Sequence, residues 1–246
     1  MFFFVSPLTL ADDDYVSFAK SLPANNYDKS LPSIPTEQWL TSILPRGIIA
    51  VWGNRVTDCG EQTGDPAIDR ERDMLLCVEV ELKKKDIRGV RALNELAFGQ
   101  PLEADIVDKL RNNCADLLSL VATENDKIVG HILFSPAEIE GPQGVIKGMG
   151  LAPMAVLPEL QRRGIGTQLV NTGIEELRKL QCPFIIVLGH HEYYPSFGFE
   201  RASSYRIKCR WEGIPDEAFM ILWLDKTKAG QVSGVAKYRE EFDEAV

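Results

Sequence analysis

Apolar positions along the chain switch repeatedly between a period of two and a period near 3.6, and the switches divide it into elements. Residues 75–82 alternate as a strand. From Asp86 the spacing lengthens, and Ile87, Val90, Leu93, Leu96 and Ala97 recur at helical intervals. Ile106, Val107 and Leu110 share a face and predict a second helix over Glu103–Asn112. Leu117–Thr123 and Lys127–Glu138 read as strands, joined through Glu124-Asn125-Asp126 as a tight hairpin. Gly148–Leu157 is another strand. Gly164–Leu180 is a helix with Leu169, Val170, Ile174 and Leu177 on its buried face. Phe184–Leu188 is a short unbroken apolar run, the pattern of a strand covered on both faces. After the aromatic cluster Tyr193–Phe199, residues Tyr205, Ile207, Cys209 and Trp211 alternate with Arg206, Lys208 and Arg210. That strand and Ala218–Leu224 are expected to form a closing antiparallel pair.

The order is strand, two helices, hairpin, strand, helix, strand, strand pair. A strand–helix–strand unit implies a right-handed crossover and a parallel pair, whereas the hairpins imply antiparallel pairing. The fold class is therefore α/β with a mixed, mostly antiparallel sheet and helices on its faces.

Residues 1–74 have a different texture. Pro23, Pro32, Pro35, Pro45 and Pro66 interrupt them, leaving weak helices at Ala11–Lys20 and Thr36–Leu44 and a possible strand at Gly47–Trp52. The stretch Asp58–Asp65 has the chemistry of a linker. These residues are expected to be an extension without a catalytic constellation, and 75–246 the main domain.

Charge and composition narrow the function. The net charge is −9 with no basic stripe, which argues against a nucleic-acid partner. Small anions need only a local cluster of donors. Five scattered cysteines without a C-x-x-C pair suggest neither a disulfide framework nor a metal site and fit a reducing cytoplasm. Apolar runs are too short for a membrane span, and the start has no basic leader.

The candidate chemistry begins at Gln161-Arg162-Arg163-Gly164-Ile165-Gly166-Thr167, where a strand runs into a turn and then a helix. First-turn N–H groups lack intrahelical partners and carry the positive end of the helix dipole. Gly164 and Gly166 let a diphosphate approach the backbone, and Arg162 and Arg163 add positive charge. Taken alone, the hexamer is equally a turn with solvated arginines. It is neither a Walker loop nor a dinucleotide fingerprint. Pro153 in the preceding strand removes a ladder donor and predicts a bulge. A bulge would turn the amides of Met154, Ala155 and Val156 toward an extended ligand; the alternative is an edge strand with a harmless proline.

Here the residues resemble the GNAT family of N-acetyltransferases. Gln161–Gly166 fits that family's Q/R-x-x-G-x-G/A coenzyme signature, and Tyr194-Pro195-Ser196-Phe197-Gly198-Phe199 fits its later Y-x-x-x-G-F pattern. Arg91–Glu95, Ile128–Pro136, Gly150–Pro158 and Val232–Phe242 look like a subgroup of small bacterial members. The resemblance implies acetyl-CoA as co-substrate and no metal. It implies a V-shaped cleft between Gly148–Leu157 and Phe184–Leu188, with pantetheine bonded at Met154 and Val156 and pyrophosphate at Gly164. A strand amide near Ala155 would serve the oxyanion, and Tyr194 would protonate the departing thiolate. The competing role for Tyr194 is core packing against Phe197 and Phe199. The base is sought at His190, beside His191 and Glu192, although related sequences carry Gly-Asp-Pro there and exposed loop histidines are the alternative. His131, alternating with apolar neighbours, reads as a core histidine, and Glu103 and Asp105 as helix carboxylates near a substrate mouth.

The leading expectation is acetyl transfer to a primary amine, on a small molecule or peptide, by a monomer or homodimer. The alternatives are an acyl-CoA-binding module without turnover and an interaction protein that uses the domain as scaffold.

Overall fold

The computed structural model describes residues 48–52, 55–57, 77–80 and 84–245. In chain order the elements are β1 (Ile48–Trp52), β2 (Arg55–Thr57), β3 (Cys77–Val80), α1 (Lys84–Phe98), α2 (Leu102–Asn113), β4 (Leu118–Glu124), β5 (Lys127–Gly141) and β6 (Gly144–Val156). Then follow α3 (Ile165–Lys179), β7 (Phe184–Leu188), β8 (Glu200–Arg201), β9 (Ile207–Cys209), β10 (Phe219–Trp223) and β11 (Gly234–Lys237), with short 3-10 turns between them. The helices expected at Ala11–Lys20 and Thr36–Leu44 and the linker Asp58–Asp65 lie outside the described residues.

One curled sheet runs β2-β1-β3-β4-β5-β6-β7-β10-β8, and β11 joins it through β5 and β9. The strand expected near Gly47–Trp52 is β1, which extends the sheet by pairing with β3. Every pairing is antiparallel except β6 with β7 and β9 with β11. Two apolar cores result, one on each face. Under α1 and α2 lie Val90, Ile106, Leu110, Leu133, Ile186 and Leu188. Under α3 lie Ile132, Leu151, Met154, Leu169, Val187 and Tyr194.

Several elements depart from the sequence expectation. The Glu124–Lys127 turn is the predicted hairpin, with Asn125 at φ 52° and Asp126 at φ 60°. The next hairpin, turning between Gly141 and Gly144, lengthens β5 and β6 beyond the predicted ends, because its polar residues continue the ladder past the core. The strand expected over residues 205–211 shrinks to β9. A 3-10 turn at Ala202–Tyr205 ends on left-handed Arg206, which starts the strand late. β9 pairs in parallel with β11, and Ala218–Leu224 supplies β10, which is antiparallel to β7 and β8. The predicted closing pair does not form. Pairing depends on distant partners that alternation in one segment does not name.

Helix α1 corrects a face. Ile87 and Leu96 are exposed at 41% and 64%, whereas Asp86 and Asn94 are buried with Val90 and Leu93. Asn94 sits four residues after Val90 on the buried face, and its amide finds polar partners there. Its Nδ2 donates to the Val90 carbonyl at 2.8 Å and to His131 Nδ1 at 3.2 Å. That acceptor role leaves the proton on His131 Nε2, which donates to Ser119 Oγ at 3.0 Å. Arg91, on the outer side of α1, holds Glu95, Asp105 and Asp108 at 2.9, 2.8 and 2.7 Å and joins α1 to α2.

His131 is fully buried, and desolvation, helped by the Arg111 charge, lowers its pKa from 6.5 to about 3. The native state keeps it neutral where an unfolded chain takes up a proton. Stability therefore falls as pH drops from 6.5 toward 3, by about 1.4 kcal/mol per unit for this group. Urea denaturation at pH 7 and pH 5 should show the loss in the natural chain and a shallower one in His131→Gln. Equal losses would contradict the assignment.

Candidate active site

The site begins where β6 and β7 part. Their parallel ladder has three register positions, Met149–Ile185, Gly150–Ile186 and Leu151–Val187, and then stops. Continuing the register would set residue 153 opposite residue 189 and would call on an N–H that Pro153 lacks. On the other edge of β6 the register against β5 shifts between Ile132 and Phe134, so β6 carries the predicted bulge at the same place.

Alternation decides which backbone groups face the parting. The Leu157 N–H donates to the Val129 carbonyl of β5 at 2.9 Å. Ala155, two residues earlier, therefore also faces β5, and Met154 and Val156 face the opening. This corrects the expected oxyanion donor, because the Ala155 amide belongs to the β5 ladder. On β7, the Gly189 N–H donates to the Ala218 carbonyl, and the Pro183 carbonyl accepts from the Leu224 N–H. Odd-numbered groups of β7 thus face β10, and Ile186 and Leu188 face β6.

From Val156 the chain passes a 3-10 turn, Pro158–Leu160, into Gln161–Thr167. Gln161 Nε2 reaches back to the Val156 carbonyl at 3.3 Å and ties the turn to the strand end. Arg162 and Gly164 have φ of 62° and 80° around an Arg163 of negative φ, an alternation that points successive N–H groups to one side. Gly164 is the N-cap of α3 and no side chain caps the helix, so its first-turn amides remain available. The first turn contains no acidic residue, and Arg162 and Arg163 are exposed beside it. Gly166 and Thr167 lie in that turn; a Cβ on Gly166 would sit 3.0 Å from the Tyr193 hydroxyl. Tyr193 thus packs on the signature turn, a contact that the sequence reading did not anticipate.

Tyr194 is fully buried on the α3 side with Met154, Leu151 and Val187. Its ring meets Phe199 edge-on at 5.4 Å and Phe197 at 6.4 Å, so it does pack as a core residue. Its hydroxyl, however, has no hydrogen-bond partner among the described residues. Buried polar groups are seldom left so, since the lost hydration costs about 1–3 kcal/mol. Burial, with smaller effects of Tyr193 and Tyr238, pushes its pKa well above 10. The phenol is protonated at neutral pH, fit to give a proton.

His190 follows β7, and its carbonyl accepts from the Tyr193 and Tyr194 amides at 3.1 and 3.3 Å. With His191 it lines a cavity of about 270 Å³ at the β7 end, walled by Leu188, Ile214, Pro215 and Glu217. The loop before β10 was not singled out by the sequence. Its only signal there is proline and acid between two strands. The two helix carboxylates go elsewhere: Asp105 pairs with Arg91, and Glu103 is buried, accepts from Gln100 and is desolvated to a raised pKa.

Residues 80–202 match the sequence profile of an "Acetyltransferase (GNAT) domain". An uncharacterized N-acetyltransferase of Escherichia coli strain K12, YhbS, is 32% identical over 171 residues, covering 69% of this chain and 99% of that protein. A second, YjhQ, is 44% identical over 119 residues, 48% of this chain and 66% of that one. The crystal structure of YhbS in complex with CoA superposes with a TM-score of 0.64 at 30% identity, covering 74% of this chain and 96% of that chain. A GNAT acetyltransferase from Brucella melitensis in complex with acetyl-CoA gives 0.56 at 31% identity, covering 68% and 98%. The chain belongs to the GNAT acetyltransferase family.

Gly164 tests the turn. A Cβ there is expected to cost about 1–2 kcal/mol, the penalty of a left-handed residue with a side chain. Gly164→Ala should therefore lower the urea midpoint. An unchanged midpoint would mean that the turn does not require positive φ.

Proposed function

We propose that the chain transfers the acetyl group of acetyl-CoA to a primary amine in a ternary complex. The observation that carries this is the buried Tyr194 hydroxyl without a partner among the described residues, in the core that also holds Met154 and Val187. Several features fit the coenzyme. The uncapped α3 start and the Arg162–Gly164 turn suit its pyrophosphate. The outward backbone of Met154 and Val156 suits its extended amide arm, as one strand suits another. The CoA and acetyl-CoA complexes of the two structural relatives add support.

The amine nitrogen attacks the thioester carbonyl carbon. A C–N bond forms, the C–S bond breaks, and sulfur leaves with the bonding pair and takes the Tyr194 proton. The proton that nitrogen loses passes to His190 at the mouth of the 270 Å³ cavity and returns to the phenol through solvent. The products are an acetamide and free CoA thiol. Holding both reactants in line supplies much of the remaining acceleration. A reducing compartment, the cytoplasm, suits the free thiols of Cys114, Cys182 and Cys209. Among the described residues no helix is long and apolar enough to cross a membrane.

Thiol release measured across amino acids, peptides, polyamines and aminoglycosides decides the reading. Turnover with one of them, reduced about 10²-fold or more in kcat by Tyr194→Phe with acetyl-CoA affinity kept, supports it. Because the phenol's pKa is raised, the acid stays protonated through pH 10, so Tyr194 sets no alkaline limb below that. Tight acetyl-CoA binding with no turnover on any amine would sink catalysis and leave a binding module.

A further inference from the structure

The cavity of about 270 Å³ at the end of β7 has a polarity of its own. Its lining begins at Leu188, the first β7 residue past the last rung with β6, Leu151–Val187. Gly189 follows and is tied to β10 by its N–H donating to the Ala218 carbonyl at 2.9 Å. The carbonyl of His190, the next lining residue, accepts from the Tyr194 amide at 3.3 Å. One hydrogen bond thus joins the cavity wall to the backbone that carries the buried phenol. Ile214, Pro215 and Ala218, from the loop before β10, make the rest of the wall apolar.

A single carboxylate interrupts that wall. Glu217 lines the cavity and is half-buried, and no lysine or arginine lines it among the described residues. Among the described residues, Glu217 has no ion pair or hydrogen bond that would occupy its side chain elsewhere. Other shielded carboxylates are held by arginines: half-buried Asp108 by Arg91 and Arg111, and buried Glu241 by Arg239. A carboxylate beside apolar surface loses part of its hydration, and a cation offsets that loss. The flanking segments have the same sign. Residues 189–199 and 212–218 carry Glu192, Glu212, Asp216 and Glu217 and no lysine or arginine, so the local field favours a positive ligand.

We propose that this cavity selects an acceptor with two amines on an aliphatic spacer, an alkyl diamine or polyamine, and that Glu217 holds the far ammonium while the near amine meets the thioester. The proposal rests on the acetyl-transfer reading above. The spacer methylenes leave water for Leu188, Ile214, Pro215 and Ala218, an apolar lining with one placed charge, as small-molecule sites have. The near nitrogen is neutral when it attacks. It forms the C–N bond, its proton passes to His190, and sulfur leaves as the CoA thiol. The far nitrogen keeps its proton throughout, and the product is a diamine acetylated at one end. A single-headed amine lacks the anchor. An amine with a distal carboxylate sets like charge against Glu217, which repels it.

Thiol release from acetyl-CoA by the full-length chain, with three acceptors of the same carbon length, tests this. The diamine cadaverine should exceed pentylamine in kcat/KM by about tenfold or more, and δ-aminovalerate, with its distal carboxylate, should rank last. Glu217→Gln keeps the size and removes the charge. It should cut the cadaverine-to-pentylamine ratio about tenfold, through a higher KM for cadaverine, because the anchor is made before and during the reaction alike. Equal kcat/KM for cadaverine and pentylamine in the natural protein overturns the selection and leaves acetyl transfer intact. So does an unchanged ratio in a folded Glu217→Gln, or faster turnover of peptides than of any diamine. If that variant does not fold, the ranking in the natural protein decides the matter. Acetyl-CoA binding with no turnover of any amine overturns the transfer reading, and the selection with it.

Discussion

A missing N–H organises the site. Parallel strands stay together as long as each residue offers a donor and an acceptor to its neighbour, and β6 does so through Leu151. Pro153 has nothing to donate, and the bulge against β5 at the same point turns the strand away from β7. Past this point Met154 and Val156 present backbone groups to a gap instead of to β7.

The surroundings make the gap rigid. α3 starts from a left-handed Gly164, and Gln161 ties the turn to the last carbonyl of β6. The uncapped start of the helix and the open strand edge are therefore fixed relative to each other. On the other face, Asn94 fixes the tautomer of His131, and the imidazole bonds Ser119. A buried histidine held neutral is an acid-sensitive feature of the fold.

Tyr194 and Tyr238 differ in a way that burial does not explain. Both are buried and both have raised pKa values. Tyr238 spends its proton on the Ile186 carbonyl, whereas the Tyr194 hydroxyl has no hydrogen-bond partner among the described residues.

Local pattern in the sequence specified much of this. The apolar spacing set the type and rough limits of α1 to α3 and of β4, β5, β6 and β7. The chemistry of single residues pointed to the bulge at Pro153 and to the turn at Gln161–Thr167, because a proline without a donor and a glycine without a Cβ act wherever they stand. Tertiary structure decided the rest. Whether Ala155 or its neighbours face the gap depends on one bond from Leu157 to Val129, 28 positions earlier in the chain. Asn94 lies inward and Leu96 outward because the buried face of α1 runs through Asp86, Val90, Leu93 and Asn94 at helical spacing, and Asn94 meets His131 of a distant strand there. β9 pairs with β11 and not with β10, and Tyr238 reaches Gly150 and Ile186, through contacts between segments far apart in sequence. Periodicity reports which side of an element is apolar; only packing reports what that side meets.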